Sequence, residues 1–234
     1  LGDVYKRQVL VSLQNGIGND EILAKYVPAG RIMYGAGVIG TELRGPGVCV
    51  SKPEDGIQMF FGAVEKSPQT DRAGKYLQET FEAGGCHASF EDDVRVLLWK
   101  KAITNSGYNA VCTVTRLRLH FVMENDWGMK LLMNVWKEGC AVAKALGVGD
   151  IWPLIEGDIE NLRENLGDYY PSMAQDMLYK KLRTEVDTLT GAISDYGKQF
   201  NIPTPTCDVL SDIVRCIQDN YDNQYGEKNG AVNG

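Results

Sequence analysis

The chain has 234 residues, 24 Lys and Arg against 31 Asp and Glu, a formal net charge of -7 and 44% hydrophobic residues. That size and balance suit one large or two small globular domains with a core to bury, and they argue against nucleic acid or an anionic membrane as the main partner. Two His and six Cys without a C-x-x-C pair give no metal-ligand spacing, no apolar run reaches the roughly 18 residues of a membrane span, and six separate thiols suit a reduced, cytoplasmic protein.

Residues 1–8, LGDVYKRQ, lack an initiator Met and a signal-peptide pattern. They read as a non-native leader, adaptor-like from Asp3 to Gln8, and the native chain is expected to continue upstream of Val9. Val9 to Leu13 is a buried-type strand ending at Asn15-Gly16. Asn19-Asp20-Glu21 then starts a helix to about Tyr26, with its acids where the helix dipole favours them. Arg31 to Ile39 is the next strand. Gly47 to Lys52 and Ile57 to Val64, separated by PEDG, read as an antiparallel hairpin at the sheet edge. Asp71 to Ala83 has an apolar side made of Ala73, Tyr76, Leu77, Thr80 and Phe81, and His87 to Phe90 is a short strand.

From Asp92 onward the pattern is helical almost throughout. Helices are expected from Asp92 to Val114, Asn125 to Leu146, Asp150 to Asn165, Ser172 to Tyr179, Thr184 to Phe200 and Cys207 to Asp219. Pro203 and Pro205 break the last two. The fold class is therefore α/β plus all-α, with an α/β domain over residues 9–91, a helical domain over 92–220 and a disordered tail over 221–234.

One helix carries polar residues where packing alone would place apolar ones. In LLWKKAITNSGYNAV, Lys101, Asn105 and Asn109 are spaced by four and stack on one face. A cation able to release a proton and two carboxamides thus project together, as a solvated stripe or as part of a site. Lys100 points about 100 degrees away and is expected to face solvent.

Three separated segments carry a resemblance: VLVSLQNGIGNDEIL, the Lys101 helix, and PSMAQDMLYKKLRTEVDTLTGAISDYGKQFNIPTPT. Their N-G-x-G turn, W-x-K-x-x-x-N-x-x-x-N helix and S-M-x-Q-D, T-E-x-D-x-x-x-G and P-T-P run resemble the ketopantoate reductase (2-dehydropantoate 2-reductase) family, in order, from Val9 to about Ile217. The resemblance implies the C-terminal part of a Rossmann-like NADP-binding domain, then a helical substrate and dimerisation domain similar to the C-terminal domain of 6-phosphogluconate dehydrogenase. It implies NADPH-dependent reduction of ketopantoate to pantoate, for pantothenate and coenzyme A. It also admits a homodimer through the helical domain.

Reducing a 2-oxo acid needs a proton donor at the carbonyl oxygen and fixed dipoles for the carboxylate. Lys101 suits the first, and the matching family lysine has that role. Asn105 and Asn109 can donate to carboxylate or hydroxyl oxygens; the resemblance makes them substrate ligands, while capping or bridging helices remains the alternative. The resemblance makes Ser172 a substrate ligand, with an ordinary N-cap as the other reading. It sets Glu185 near Lys101, touching substrate or cofactor. Asn15 is placed between cofactor and substrate, and Thr41 near the cofactor. Thr184 and Asp187 read as a capping-box-like pair, and Gln175 and Asp176 as network residues.

Three features depart from the family pattern. The pyrophosphate-binding G-x-G-x-x-G at the first strand is absent, and GAGVIG (residues 35–40) follows the wrong strand for that role. Two further family asparagines fall at Leu119 and Tyr169. One additional residue separates S-M from T-E. These features leave room for another 2-oxo acid as substrate, or for a non-catalytic fragment that holds NADPH poorly.

Overall fold

The computed structural model describes residues 8–52, 56–165 and 170–224. Readings made for residues 1–7, for 53–55 within the PEDG turn, for Tyr169 and for 225–234 lie outside the described residues. The chain divides between Leu98 and Trp99 into two compact units.

In the first unit, β1 (Leu10–Ser12) leads through a turn to α1 (Asn19–Ala24), then to β2 (Ile32–Gly37), β3 (Gly40–Gly45), β4 (Val48–Lys52) and β5 (Met59–Ala63). After these come α2 (Pro68–Ala83) and β6 (Ala88–Glu91). The main sheet has the order β1-β2-β5-β6. β1 runs parallel to β2, with Leu10 opposite Ile32, and β5 parallel to β6, while β2 and β5 are antiparallel with Gly35 opposite Phe61.

The expected pairing of residues 47–52 with 57–64 does not occur. β4 pairs with β3, across a Pro46-Gly47 turn in which Gly47 has φ 75, and β5 lies inside the sheet. The reason lies in MFFGA: Phe61 packs with Met33 and Ala88 on one face, and Phe60 with Ala36, Val94 and Leu98 on the other. A strand apolar on both faces needs cover on both, which an edge hairpin does not give.

Helix α2 covers the Phe61 face with Ala73, Leu77 and Phe81, whereas Tyr76 is 68% exposed and Thr80 turns outward, so the expected apolar side was drawn too wide. The helix starts earlier than expected, at Pro68. Ser67 caps it, its Oγ accepting from the Thr70 N–H while Thr70 Oγ1 accepts from the Ser67 N–H.

The second unit continues α3 (Arg95–Thr115) through α4 (Leu119–Glu124), α5 (Asp126–Ala145), α6 (Trp152–Asn165) and α7 (Ser172–Gln175). A π turn over Asp176–Lys180 follows, then a 3-10 turn over Val186–Thr188, α8 (Thr190–Phe200) and α9 (Pro205–Gln218). No helix among the described residues is long and apolar enough to cross a membrane. Trp136 on α5 is fully buried against α3, its ring edge-on to Tyr108 and its indole N–H reaching the Thr104 carbonyl.

Three expectations for this unit are corrected. The helix expected from Thr184 breaks at Leu189, whose φ of -114 and ψ of -108 are not helical. The expected capping box is absent as well: Thr184 bonds to Gln218, and Asp187 holds Arg215 through Nε and Nη2. Finally, Tyr221–Asn223, read as tail, form a 3-10 turn.

Candidate active site

The helical unit gathers five of the sequence-predicted residues on α3, α7 and the segment after the π turn. Along α3, Ala102, Ile103, Ser106, Ala110 and Val111 face the core, and Thr104 and Ser106 turn their hydroxyls onto carbonyls one turn back. The Lys101, Asn105, Asn109 stripe enters that core obliquely. Lys101 and Asn105 are half-buried, and Asn109 is 2% exposed.

Asn109 uses its Oδ1 twice: the Met173 N–H donates to it at 2.9 Å and the Ser172 hydroxyl at 3.4 Å. Pro171 is the N-cap of α7 and supplies no side-chain acceptor, so Asn109, 64 positions before Met173, provides one. Ser172 is the first helical residue rather than the cap, and it remains exposed beside the Asn109 amide.

Glu185 is exposed and stands as N-cap of the 3-10 turn. Its carboxylate acts electrostatically on Lys101. Burial holds the Lys101 ammonium below the ordinary lysine range, and the negative charge of Glu185 partly opposes that shift. A half-buried cation with lowered proton affinity, within the field of a carboxylate, gives up a proton more readily than an ordinary lysine.

Between α7 and Glu185 the chain forms the π turn and then takes a left-handed step at Lys181, φ 51. This turn lies within the span that separates S-M from T-E. Asp176 pairs with Lys180 at 2.9 Å, and the Gln175 amide donates to the Tyr170 carbonyl. Lys100, expected in solvent, instead pairs with Asp158 at 2.5 Å.

Asn15 and Thr41 belong to the other unit. Asn15 is half-buried in the turn beyond β1, its carbonyl accepting from the Asn19 side chain, and Gly16 (φ 90) and Gly18 (φ 85) supply the left-handed backbone that the turn needs. Thr41 lies on β3 opposite Ser51, outside the main sheet; its side chain is outside the described residues. GAGVIG runs from β2 into β3 and opens no helix. At Gly35 a Cβ would stand 2.2 Å from the Phe60 carbonyl oxygen, so this glycine serves the β2–β5 contact. Leu119 is fully buried.

Residues 93–218 match the family described as ketopantoate reductase PanE/ApbA C terminal, and residues 2–65 match ketopantoate reductase PanE/ApbA. Among curated relatives, the 2-dehydropantoate 2-reductase of Pyrococcus horikoshii is 31% identical over 216 residues, covering 91% of this chain and 68% of the relative. That of Lactococcus lactis is 28% identical over 208 residues, covering 88% and 65%. Among solved structures, a D-mandelate dehydrogenase with NADH and anilino(oxo)acetate superposes with a TM-score of 0.82 at 27% identity, covering 92% of this chain and 69% of that one. A PanE/ApbA family ketopantoate reductase from Ralstonia eutropha gives 0.76 at 28% identity, covering 92% and 68%. The fold class is accordingly a Rossmann-like α/β unit followed by a helical one, and the chain belongs to the ketopantoate reductase family.

Proposed function

We propose that this protein is an oxidoreductase that reduces a 2-oxo acid with a nicotinamide dinucleotide, ketopantoate to pantoate with NADPH being the first reading. The observation that carries it is the half-buried Lys101 ammonium, its proton affinity lowered by burial, on which the Glu185 carboxylate acts electrostatically. In this reading the bound cofactor supplies the hydride. Lys101 polarises the carbonyl oxygen and delivers the proton to the alkoxide, Glu185 keeps Lys101 charged and oriented, Asn105 donates to a carboxylate or hydroxyl oxygen, and the Ser172 oxygen, its proton given to Asn109 Oδ1, accepts from a substrate hydroxyl. Asn109 acts through Ser172, whose hydroxyl it holds. Asn15, at the carboxyl end of β1, is assigned to the nicotinamide end, as the turn beyond a parallel strand suits. Thr41 is kept as a cofactor contact on the resemblance alone. The described residues fit that end only: GAGVIG opens no helix and offers no pyrophosphate cradle.

A second reading, reduction of another 2-oxo acid, is favoured by the likeness to D-mandelate dehydrogenase and by Leu119, buried where the family pattern has a polar ligand. Rates of cofactor oxidation with ketopantoate and with an aryl 2-oxo acid, each with NADPH and NADH, test both. A kcat/KM highest for ketopantoate with NADPH supports the first reading, and a preference for the aryl substrate replaces it with the second. Self-association through the helical domain belongs to the same proposal and is read by sedimentation; a monomer at all concentrations removes it.

A further inference from the structure

Gln218, the last residue of α9, is only 7% exposed, and both donors that reach its side-chain oxygen come from one residue. The Thr184 N–H donates to Oε1 at 3.1 Å and the Thr184 hydroxyl at 3.0 Å. With its proton committed to Gln218, the same hydroxyl oxygen accepts from the Val186 N–H at 3.3 Å. A buried amide thus fixes the backbone on both sides of Glu185, whose own side chain is exposed. Two neighbouring contacts join the same pieces of chain: the Tyr221 hydroxyl donates to the Leu182 carbonyl, and Arg183 pairs with Asp219 at 2.8 Å. Val186 completes the anchorage, fully buried against Met173, Met177, Leu189 and Val214.

Such anchorage has a use. An exposed carboxylate at the end of a loop containing a π turn and a left-handed residue would otherwise sample many positions, and its effect on a neighbouring charge falls with distance. We propose that Gln218 is a positioning residue which, through Thr184, holds Glu185 where its carboxylate acts on Lys101. The functional weight of this contact rests on the reading of Lys101 as proton donor. Of the other charges on this stretch, Asp176 pairs with Lys180, Arg183 with Asp219 and Asp187 with Arg215, while Lys181 is exposed.

The test is the titration of Lys101 by the 13Cε chemical shift of labelled lysine in the native protein and in Glu185→Gln, Gln218→Leu, Gln218→Glu and Thr184→Val, with melting curves for each. Glu185→Gln lowers the Lys101 pKa, because it removes the charge that favours the ammonium. Gln218→Leu and Thr184→Val are expected to lower it by at least half as much. Gln218→Glu, which keeps the acceptor, does not lower it. Thr184→Val, losing a single hydroxyl, decides the matter should Gln218→Leu fail to fold. A Lys101 pKa that responds to Glu185→Gln but to neither Thr184→Val nor Gln218→Leu overturns the proposal, as does one that ignores Glu185→Gln. The titration needs no cofactor or substrate. Lys101→Ala retaining full kcat while these shifts appear would therefore reject Lys101 as proton donor and leave the positioning intact.

Discussion

The Oδ1 of Asn109 accepts the Met173 N–H at 2.9 Å, so the α3 helix caps the start of α7 from across the helical unit. Asn109 is consequently a structural acceptor as well as a member of the polar stripe. Asn109→Ala leaves a buried N–H without a partner and is expected to cost about 1–3 kcal/mol in denaturant unfolding. Asn105→Ala, at a half-buried position on the same stripe, should leave stability within about 0.5 kcal/mol while raising KM for the 2-oxo acid. Equal stability losses in the two variants would show that Asn109 is not the cap described.

The pH dependence follows from Lys101. A proton donor must be protonated, so kcat/KM should hold on the acid side and fall as pH rises through a Lys101 pKa below its ordinary 10.5. Glu185→Gln should move that limb to lower pH. Stability has the opposite slope: a lysine whose folded pKa is depressed costs stability while charged, and the cost is relieved as pH rises from the lowered value towards 10.5. A pH–rate limb that does not move in Glu185→Gln would separate the two side chains.

Thiol reactivity should divide the cysteines. Burial pushes Cys112 and Cys140 up to about 12 and raises Cys207 further, with the Glu138 carboxylate adding to the last. Peptide mapping after brief alkylation of the native protein is expected to find Cys216, which is exposed, modified well ahead of these three, and all of them modified once denaturant is added. Early labelling of Cys207 would contradict the packing at the start of α9, where Glu138 accepts the N–H groups of Thr206 and Cys207 at 2.9 Å each.

GAGVIG makes a distinct prediction. Because Gly35 lies against Phe60 and Phe61, Gly35→Ala should destabilise the sheet by about 1–3 kcal/mol without changing dinucleotide affinity. Fluorescence quenching should give weak NADPH binding, since the one G-x-G-x-x-G in the chain runs from strand to strand. Tight binding lost in Gly35→Ala at unchanged melting temperature would restore a cofactor role to that loop.

Most of the helical unit is legible in the sequence because its elements follow local rules, the apolar period and Asn125 capping α5 through its side chain, whereas Pro205, expected as a breaker, instead opens α9. The sheet was less so. MFFGA reads equally well as an edge hairpin or an inner strand, and only the non-local pairing with β2 and β6 decides. The S-P-x-T signal before α2 and the Pro46-Gly47 turn are local features that set the start of α2 and the β3–β4 pairing. Lys101 and its stripe stand out in a helix that otherwise packs. Gln218 does not, because a glutamine near a helix end carries no sign that it will meet Thr184, 34 residues away. The same holds for the pairing of Lys100 with Asp158.

Steady-state kinetics of Lys101→Ala, with the preferred 2-oxo acid and reduced nicotinamide cofactor, bear most directly on the chemistry assigned to the Lys101–Glu185 pair. The account predicts a fall in kcat of about 100-fold or more, with the alkaline limb of the native pH–rate profile abolished. An unchanged kcat with only KM raised would contradict it.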